Sequence, residues 1–199
     1  MTAATLILNI QGYWHPGTGR GAGTALDSVT HRDSRGLPAL PGRSCKGLLR
    51  DLVRQAESLG WYPPGTPTLE QRLFGWRTGE GGIRKEGVPT IGCLHVTDAA
   101  LPSATAEYLT ACPELLPGLY RYHFTTCIDP ATGAAQEQSL RGAEVIVPLV
   151  LRAELTELPQ SEPPTNWPAL LGLALPLLRG LGEARTRGLG RVIATLEVC

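Results

Sequence analysis

The chain has 199 residues, which is enough for one sizeable hydrophobic core, and its 18 basic and 18 acidic residues give a formal net charge of zero. This balance excludes binding of nucleic acid through overall charge, so any such activity must rest on local clusters of cations. The five cysteines form no CxxC pair, which argues against a zinc site or a disulfide framework, and no apolar run reaches the roughly 18 residues of a membrane span. We therefore predict one soluble, cytoplasmic domain over residues 1–199 with no membrane partner.

The first predicted strand, residues 5–10 (TLILNI), combines branched side chains with partial alternation. A glycine-rich segment, residues 15–23 (HPGTGRGAG), follows it, and its glycines would let backbone N–H groups approach a ligand closely. The segment lacks the lysine and serine that end a nucleoside-triphosphate loop. On its own it predicts an ordinary flexible loop.

Residues 24–50 carry most of the local chemistry. Asp27 lies in a stretch with too little apolar periodicity for a buried helix or strand, so we predict a surface loop that carries an acid. Further on, Pro38, Pro41 and Gly42 favour an extended path, because proline fixes its own φ and disfavours the helical region for the residue before it. Extended backbone should therefore lead directly into the first helix.

We predict that this helix begins at Ser44, whose hydroxyl would accept hydrogen bonds from the N–H groups of the first turn. One apolar face is expected, formed by Leu48, Leu49, Leu52, Val53 and Ala56. Small residues and cations crowd the positive end of the helix, namely Gly42, Arg43, Ser44, Lys46 and Gly47. Free N–H groups and the helix dipole favour negative charge there, so we expect a bound anion, most simply a phosphate.

The remaining elements alternate between short helices, strands and glycine-rich connections. Between the first helix and the predicted hairpin we expect a short helix at residues 69–73, a mobile connection at 77–87, a strand at 90–97 and a short helix around 107–111. A hairpin follows, with one arm at residues 119–127, a polar turn at 128–138 and a β-rich run at 143–155, in which Pro148 favours an edge or a bulge. The last predicted elements are a buried helix at residues 166–178, a loop of glycine and arginine at 180–190 and a strand at 191–198.

The order strand, helix, strand, strand, helix, strand, with an insertion at about residues 98–143, predicts an α+β fold. The specific expectation is a ferredoxin-like (RRM-like) βαββαβ core with insertions and a β-hairpin. In such a core, the loop before the first helix and the loop before the last strand can lie near each other. The cations and hydroxyl groups of the two loops are Arg43, Ser44, Lys46, Arg185, Thr186, Arg187 and Arg191. Together they predict a patch for a polyanionic backbone, with single-stranded RNA favoured because a neutral protein would bind duplex DNA poorly.

Motifs at both ends of the chain resemble those of the RAMP superfamily of CRISPR systems, and in particular the backbone (Csm/Cmr-type) subunits of type III effector complexes. Residues 36–50 (GLPALPGRSCKGLLR) are similar to the signature G-x-P-x-I-P-G-S-S-L-K-G-x-x-R, with Arg43 and Cys45 as departures. Residues 180–192 (GLGEARTRGLGRV) are similar to the glycine-rich loop near the C-terminus of these subunits. Shorter matches are the early H-x-G-x-G at residues 15–19, L-F-G at residues 73–75 and the hairpin motif at residues 126–134 (TCIDPATGA).

The resemblance implies that Lys46, Arg50, Arg185 and Arg187 hold guide RNA, and that the hairpin at residues 119–143 is a thumb that interrupts the duplex of guide and target. With the two loops and the N-terminal glycine-rich segment, the predicted RNA-binding residues are His15, Arg20, Arg43, Ser44, Lys46, Arg50, Arg185, Arg187 and Arg191. The implied partners are guide RNA, target RNA, other CRISPR effector subunits and further copies of the chain in a filament-like backbone.

Asp27, in the sequence LDSV, falls where RNA-cleaving members carry an acid, although the proline of the family context is absent. Such an acid would position a divalent metal, most simply Mg²⁺, or a ribose hydroxyl for cleavage of the target RNA. A single carboxylate binds Mg²⁺ poorly, so phosphate oxygens would have to complete the coordination shell. Asp is also common as a loop-capping residue, which is the structural alternative for Asp27.

Three other functions stay open on the sequence alone. The chain could be a non-catalytic structural subunit of the same superfamily, or a guide-RNA-processing endoribonuclease that acts without partners on repeat RNA. It could also be an unrelated ferredoxin-like domain, since this core supports many activities.

Overall fold

A computed structural model gives the structure of residues 2–19, 27–63, 68–76 and 91–198. Arg20, from the predicted RNA-binding set, and the predicted connection at residues 77–87 lie outside these ranges. The strands are β1 (Ala3–Ile10), β2 (Leu94–Val96), β3 (Tyr120–Thr125), β4 (Arg141–Ile146), β5 (Leu149–Glu157) and β6 (Val192–Val198). The α-helices are α1 (Gly42–Ser58), α2 (Leu69–Phe74), α3 (Ser103–Ala111) and α4 (Trp167–Ala174). The fold is α+β with antiparallel sheets, as predicted.

Four strands form the main sheet in the order β2-β5-β1-β6, and each neighbouring pair is antiparallel. β1 lies in the interior of the sheet, where Leu6 is opposite Ala153 on one side and Leu196 on the other. Alternate residues of β1 and of β5 are buried, because successive side chains of a strand point to opposite faces. One face of the main sheet is therefore apolar and covered, while the other carries exposed side chains such as Asn9 and Arg152.

α1 and α4 contact each other, and all four α-helices contribute buried side chains to the core. The buried side chains of α1 recur at helical spacing and comprise Cys45, Leu49, Leu52, Val53 and Ala56. Leu48 is only partly buried, so the apolar face is centred differently from the predicted one. Trp14, after β1, and Trp167, at the start of α4, are fully buried. Among the described residues, no helix combines the length and the apolarity that crossing a bilayer requires.

The start of α1 differs from the prediction, because the helix begins at Gly42 rather than at Ser44. The Asp98 Oδ1 atom accepts a hydrogen bond from the Gly42 N–H at 2.7 Å. A Cβ on Gly42 would lie 2.4 Å from the Val96 carbonyl oxygen, so only glycine allows this approach to the end of β2. A carboxylate of the chain itself therefore lies at the helix N-terminus, where the sequence predicts a bound anion.

β3 and β4 form a separate antiparallel hairpin, in which Tyr120 is opposite Ile146 and Thr125 is opposite Arg141. The β-rich run predicted at residues 143–155 is thus two strands of different sheets rather than one strand with an edge or bulge. Pro148 separates them, because it has no N–H group with which to continue a ladder. After Tyr120, every residue of β3 is exposed, so both faces of this arm are open to solvent.

The described cysteines are free thiols, as the absence of a paired spacing predicts. Cys45 and Cys93 are buried, and burial raises the pKa of Cys45 to about 11. Cys112 is partly buried, while Cys127 lies exposed near the tip of the hairpin.

Candidate nucleic-acid interface

Backbone hydrogen bonds join the segment after β1 to the glycine-rich loop before β6. The Glu183 N–H donates to the His15 carbonyl oxygen at 2.9 Å, and the Gly190 N–H donates to the Tyr13 carbonyl oxygen at 2.7 Å. Gly182 has a φ of +81°, and a Cβ there would lie 2.5 Å from the His15 carbonyl oxygen. Any side chain at this position would block the approach, so the contact itself requires glycine.

A groove lies between these two segments and the first turns of α1. Its cavity has a volume of about 310 Å³ and is lined by Pro16, Gly17, Leu40, Pro41, Ser44, Gly47, Leu48, Gly182, Glu183 and Arg185. We call this the terminal groove. A second cavity of about 330 Å³ shares Leu48 and Arg185 with it and also contacts Asp51, Arg179 and Thr186. Ser44 and Arg185 therefore lie on one surface, as the predicted proximity of the two loops requires.

The charge of the terminal groove is mixed rather than purely basic. Arg185 lines it and is exposed, but Glu183 lines it too, with a side chain that is 60% exposed. In the second cavity, Arg179 accompanies Asp51, whose Oδ1 accepts a hydrogen bond from Arg54 at 2.9 Å. A polyanion in the terminal groove would meet a carboxylate as well as a guanidinium group.

Three further arginines of the predicted set, Arg43, Arg187 and Arg191, are exposed. Arg187 belongs with Arg185 to a single 3-10 turn, Arg185–Arg187, between Ala184 at φ 53° and Gly188 at φ 91°. Both flanking residues therefore have left-handed backbone conformations, and Arg185 and Arg187 are themselves exposed. Both guanidinium groups are thus available to a ligand beside the terminal groove.

Lys46 and Arg50 lie on another side of α1 and bond to the chain itself. The Lys46 ammonium donates to the Leu94 carbonyl oxygen at 3.0 Å, and burial, followed by the charge of Arg50, lowers the pKa of Lys46. Arg50 forms an ion pair with the buried Glu70 and donates to the Gly75 carbonyl oxygen at 2.5 Å. Arg50, which ends the motif at residues 36–50, thus contacts Gly75 of the L-F-G element. Neither Lys46 nor Arg50 lines the terminal groove.

The ring of His15 is 2% exposed and engaged at both nitrogens. Its Nδ1 lies 2.5 Å from the Glu144 carbonyl oxygen, and its Nε2 lies 2.7 Å from the Ser28 hydroxyl oxygen. A carbonyl oxygen can only accept, so we assign the proton to Nδ1, which leaves Nε2 to accept from the Ser28 hydroxyl. His15 therefore ties the loop that contains Asp27 and Ser28 to β4.

Glu144 was assigned no role from the sequence, yet it organises this loop. Its buried carboxylate accepts from the Thr30 N–H at 3.1 Å and from the Thr30 hydroxyl at 2.5 Å. It also pairs with Arg32 at 2.5 Å, and the Arg32 guanidinium stacks 3.7 Å from the centre of the Tyr120 ring. Burial raises the pKa of Tyr120 to about 12. The sequence did contain a sign of this role. Glu144 is an acid within a β-rich apolar run, and a carboxylate buried there without a partner would be costly.

Asp27 is exposed and paired with β4. Its N–H donates to the Gly142 carbonyl oxygen, and its Oδ2 accepts from the Gly142 N–H, both at 2.9 Å. Over residues 2–19, 27–63, 68–76 and 91–198, no group of three or more His, Cys, Asp and Glu side chains is placed to hold a metal ion. One carboxylate with a hydrogen-bonded oxygen does not make a Mg²⁺ site by itself, so the predicted metal, which needs phosphate oxygens of the RNA to complete its shell, stays a prediction.

The fold of this chain is similar to that of solved structures, whereas its sequence is only 12% identical to theirs. No protein-family model matches the chain, and no curated protein matches it. A chain in the cryo-EM structure of the type III-B Cmr-beta bound to cognate target RNA matches with a TM-score of 0.70 and 12% identity, over 98% of this chain and 96% of that chain. A chain in the apo state of the type III-B Cmr-beta matches with a TM-score of 0.67, at the same identity and coverage. The fold is shared. It extends over nearly the whole of both chains.

Proposed function

We propose that the chain is a RAMP-type backbone subunit of a type III CRISPR effector complex and that its terminal groove binds single-stranded guide RNA. The proposal depends on one observation, the convergence of Ser44 and Arg185 on a groove fixed by the contact between the two ends of the chain. The fold likeness to chains of the type III-B Cmr-beta supports it, as do the motifs at residues 36–50 and 180–192. The strand order β2-β5-β1-β6 favours a ferredoxin-like core.

In this proposal Arg185 contacts a phosphate through two parallel N–H groups, and the Ser44 hydroxyl donates to a phosphate oxygen. Arg43, Arg187 and Arg191 extend the contact along the strand, and Arg20 belongs to the proposed set from the sequence. The remaining predicted residues, His15, Lys46 and Arg50, support the site indirectly, because they bond to acceptors within the chain. Binding through a few cations on a neutral protein should weaken as salt rises.

The exposed hairpin supports the proposal that the chain assembles with other effector subunits and with further copies of itself. Its large apolar side chains are open to solvent, with exposed fractions of 66% for Tyr122, 56% for Phe124, 54% for Ile128 and 69% for Leu140. Exposed apolar side chains grouped on one projecting element indicate an interaction surface. We assign this hairpin, the predicted thumb, to contacts in the assembled complex.

Cleavage of the target RNA by Asp27 is a second candidate function, favoured by the exposure of this carboxylate in the loop that His15 and Glu144 hold. The chemistry that the Asp27 carboxylate can supply by itself is that of a general base. Its carboxylate would take the proton of a ribose 2′-hydroxyl, whose oxygen forms a bond to the adjacent phosphorus. The bond from phosphorus to the 5′-oxygen then breaks, and that oxygen takes a proton from water.

Asp27→Asn tests this second function within the assembled complex. Asparagine keeps an oxygen that can accept from the Gly142 N–H, so the loop should stay in place while the base is lost. We expect target cleavage to slow by about 10²-fold or more with RNA affinity unchanged, measured on labelled target RNA. Unchanged cleavage with intact assembly would instead identify a non-catalytic structural subunit.

Purification under native conditions tests the leading proposal. We expect RNA of defined length and other effector subunits to accompany the chain, as identified by sequencing of the RNA and mass spectrometry of the proteins. Incubation of the purified chain with repeat RNA is the complementary experiment. Cleavage at one site without partners would favour the guide-processing endoribonuclease, and absence of any RNA and any partner would contradict the leading proposal.

A further inference from the structure

Glu183 places a carboxylate in the terminal groove, which we assign to a polyanion. A carboxylate repels phosphates, so a site that bound only phosphates would not be expected to contain one. The position is fixed by the backbone, because the Glu183 N–H bonds to the His15 carbonyl oxygen at 2.9 Å. The carboxylate lies against Gly17, where an added Cβ atom would be only 1.8 Å from the Glu183 Oε1. Gly17 therefore leaves the space that this side chain occupies in the terminal groove.

No lysine or arginine of the described residues forms an ion pair with this carboxylate. The His15 Nε2 is the one basic nitrogen of the described residues within ion-pair distance, at 3.7 Å from the Glu183 Oε2. That nitrogen also lies 2.7 Å from the Ser28 hydroxyl oxygen, and Nδ1 lies 2.5 Å from the Glu144 carbonyl oxygen, so the ring is held by partners other than Glu183. Glu183 thus presents an acceptor oxygen, with its negative charge, to whatever enters the terminal groove.

A nucleic acid in this groove needs a hydrogen-bond donor that faces Glu183. Phosphate oxygens only accept and are repelled by a carboxylate, so they would be placed toward Arg185 and Ser44. The 2′-hydroxyl is a donor on every ribose of an RNA strand, and deoxyribose has none. A site that hydrogen-bonds a hydroxyl discriminates strongly against the analogue without it, because a polar group is left unpaired.

We propose that Glu183 is a specificity-determining residue that accepts a hydrogen bond from a ribose 2′-hydroxyl and makes the terminal groove select RNA over DNA. This inference rests on the proposed binding of single-stranded RNA. It adds the chemical feature by which the strand is recognised and the residue that recognises it.

The test compares single-stranded RNA, DNA of the same base sequence and 2′-fluoro RNA for binding to the full chain. 2′-Fluoro RNA lacks the donor. We expect the wild-type chain to prefer RNA over both analogues by about 10-fold or more, as for a hydrogen bond to a charged group. In Glu183→Ala the three affinities should come within about 3-fold of one another, mainly because DNA binds more tightly once the repulsion is removed. Glu183→Gln keeps an acceptor without the charge and should retain part of the preference for RNA.

Controls separate the possible outcomes. Glu107→Ala, which removes an exposed carboxylate of α3 outside the groove, should keep the wild-type preference. Equal binding of RNA and 2′-fluoro RNA by the wild-type chain would overturn the inference without any variant. An unchanged ratio of RNA to DNA affinity in Glu183→Ala would overturn it as well, as would an equal loss of both affinities with a lowered melting temperature. Binding of none of the three strands by the wild-type chain would contradict the proposed function itself.

Discussion

Glu144 bonds to four residues around the loop that contains Asp27, although the sequence assigns it no role. Its carboxylate bonds to Thr30 and Arg32, its carbonyl oxygen bonds to His15, and its N–H donates to the Ser28 carbonyl oxygen. A buried carboxylate is tolerated when it is paired and hydrogen-bonded, and here each of its two oxygens has a donor. The loop from Asp27 to Arg32 therefore depends on this side chain for its position.

Glu144→Ala should lower the free energy of unfolding by about 2–4 kcal/mol, because it leaves the buried Thr30 donors without an acceptor and Arg32 without its partner. Urea unfolding followed by circular dichroism measures the change. Glu154→Ala removes an exposed carboxylate from the open face of the main sheet and should change stability by less than about 0.5 kcal/mol. Similar small effects of the two substitutions would show that the loop does not depend on Glu144.

At the scale of elements, Arg50 joins α1 to α2. Its guanidinium pairs with the buried Glu70 of α2 and donates to the Gly75 carbonyl oxygen directly after that helix. α2 has only six residues and could not be stable alone, so it depends on such tertiary contacts. Arg50, which the resemblance assigns to guide RNA, thus has a structural partner in this chain.

Arg50→Ala should destabilise the chain by about 3 kcal/mol, because it leaves Glu70 buried without a counter-ion. Thermal and urea unfolding measure this loss, and RNA binding by the folded variant at low temperature should stay within about 3-fold of wild type, since no direct phosphate contact is removed. Arg54→Ala, on the exposed side of the same helix, is the matched control and should be nearly neutral. A large loss of RNA affinity with unchanged stability would instead place Arg50 in direct contact with RNA.

Local patterns in the sequence predicted most elements but not all of their ends. Apolar spacing located α1, α4 and β1, since each forms one side of the core. The start of α1 was missed because the N–H of Gly42 is satisfied by Asp98, which is 56 residues away. Likewise, the residues around Pro148 do not indicate that the chain passes there from the two-stranded sheet to the main sheet. Contacts between distant residues decided both features.

In the whole molecule, the order of the main sheet places β1 beside β6, and this pairing brings the segments at both ends of the chain together. The juxtaposition of Ser44 and Arg185 was predictable from the order of elements and from glycine and arginine in two loops. The carboxylate of Glu183 in the same groove was not, because its direction depends on space left by Gly17. The hydrogen bonds that Lys46 and Arg50 donate within the chain were not predictable either, because their acceptors belong to segments distant in sequence.

Recognition of RNA at the terminal groove is tested most directly by the salt dependence of binding to a single-stranded RNA. The measurement compares the wild-type chain with the double variant Arg185→Ala, Arg187→Ala, and with Arg152→Ala on the open face of the main sheet as control. We predict weaker binding by the double variant and a slope of log K against log salt that is shallower by about 0.7 for each arginine removed, with the control unchanged. A double variant with the affinity and the slope of the wild-type chain would contradict the assignment of RNA to this groove.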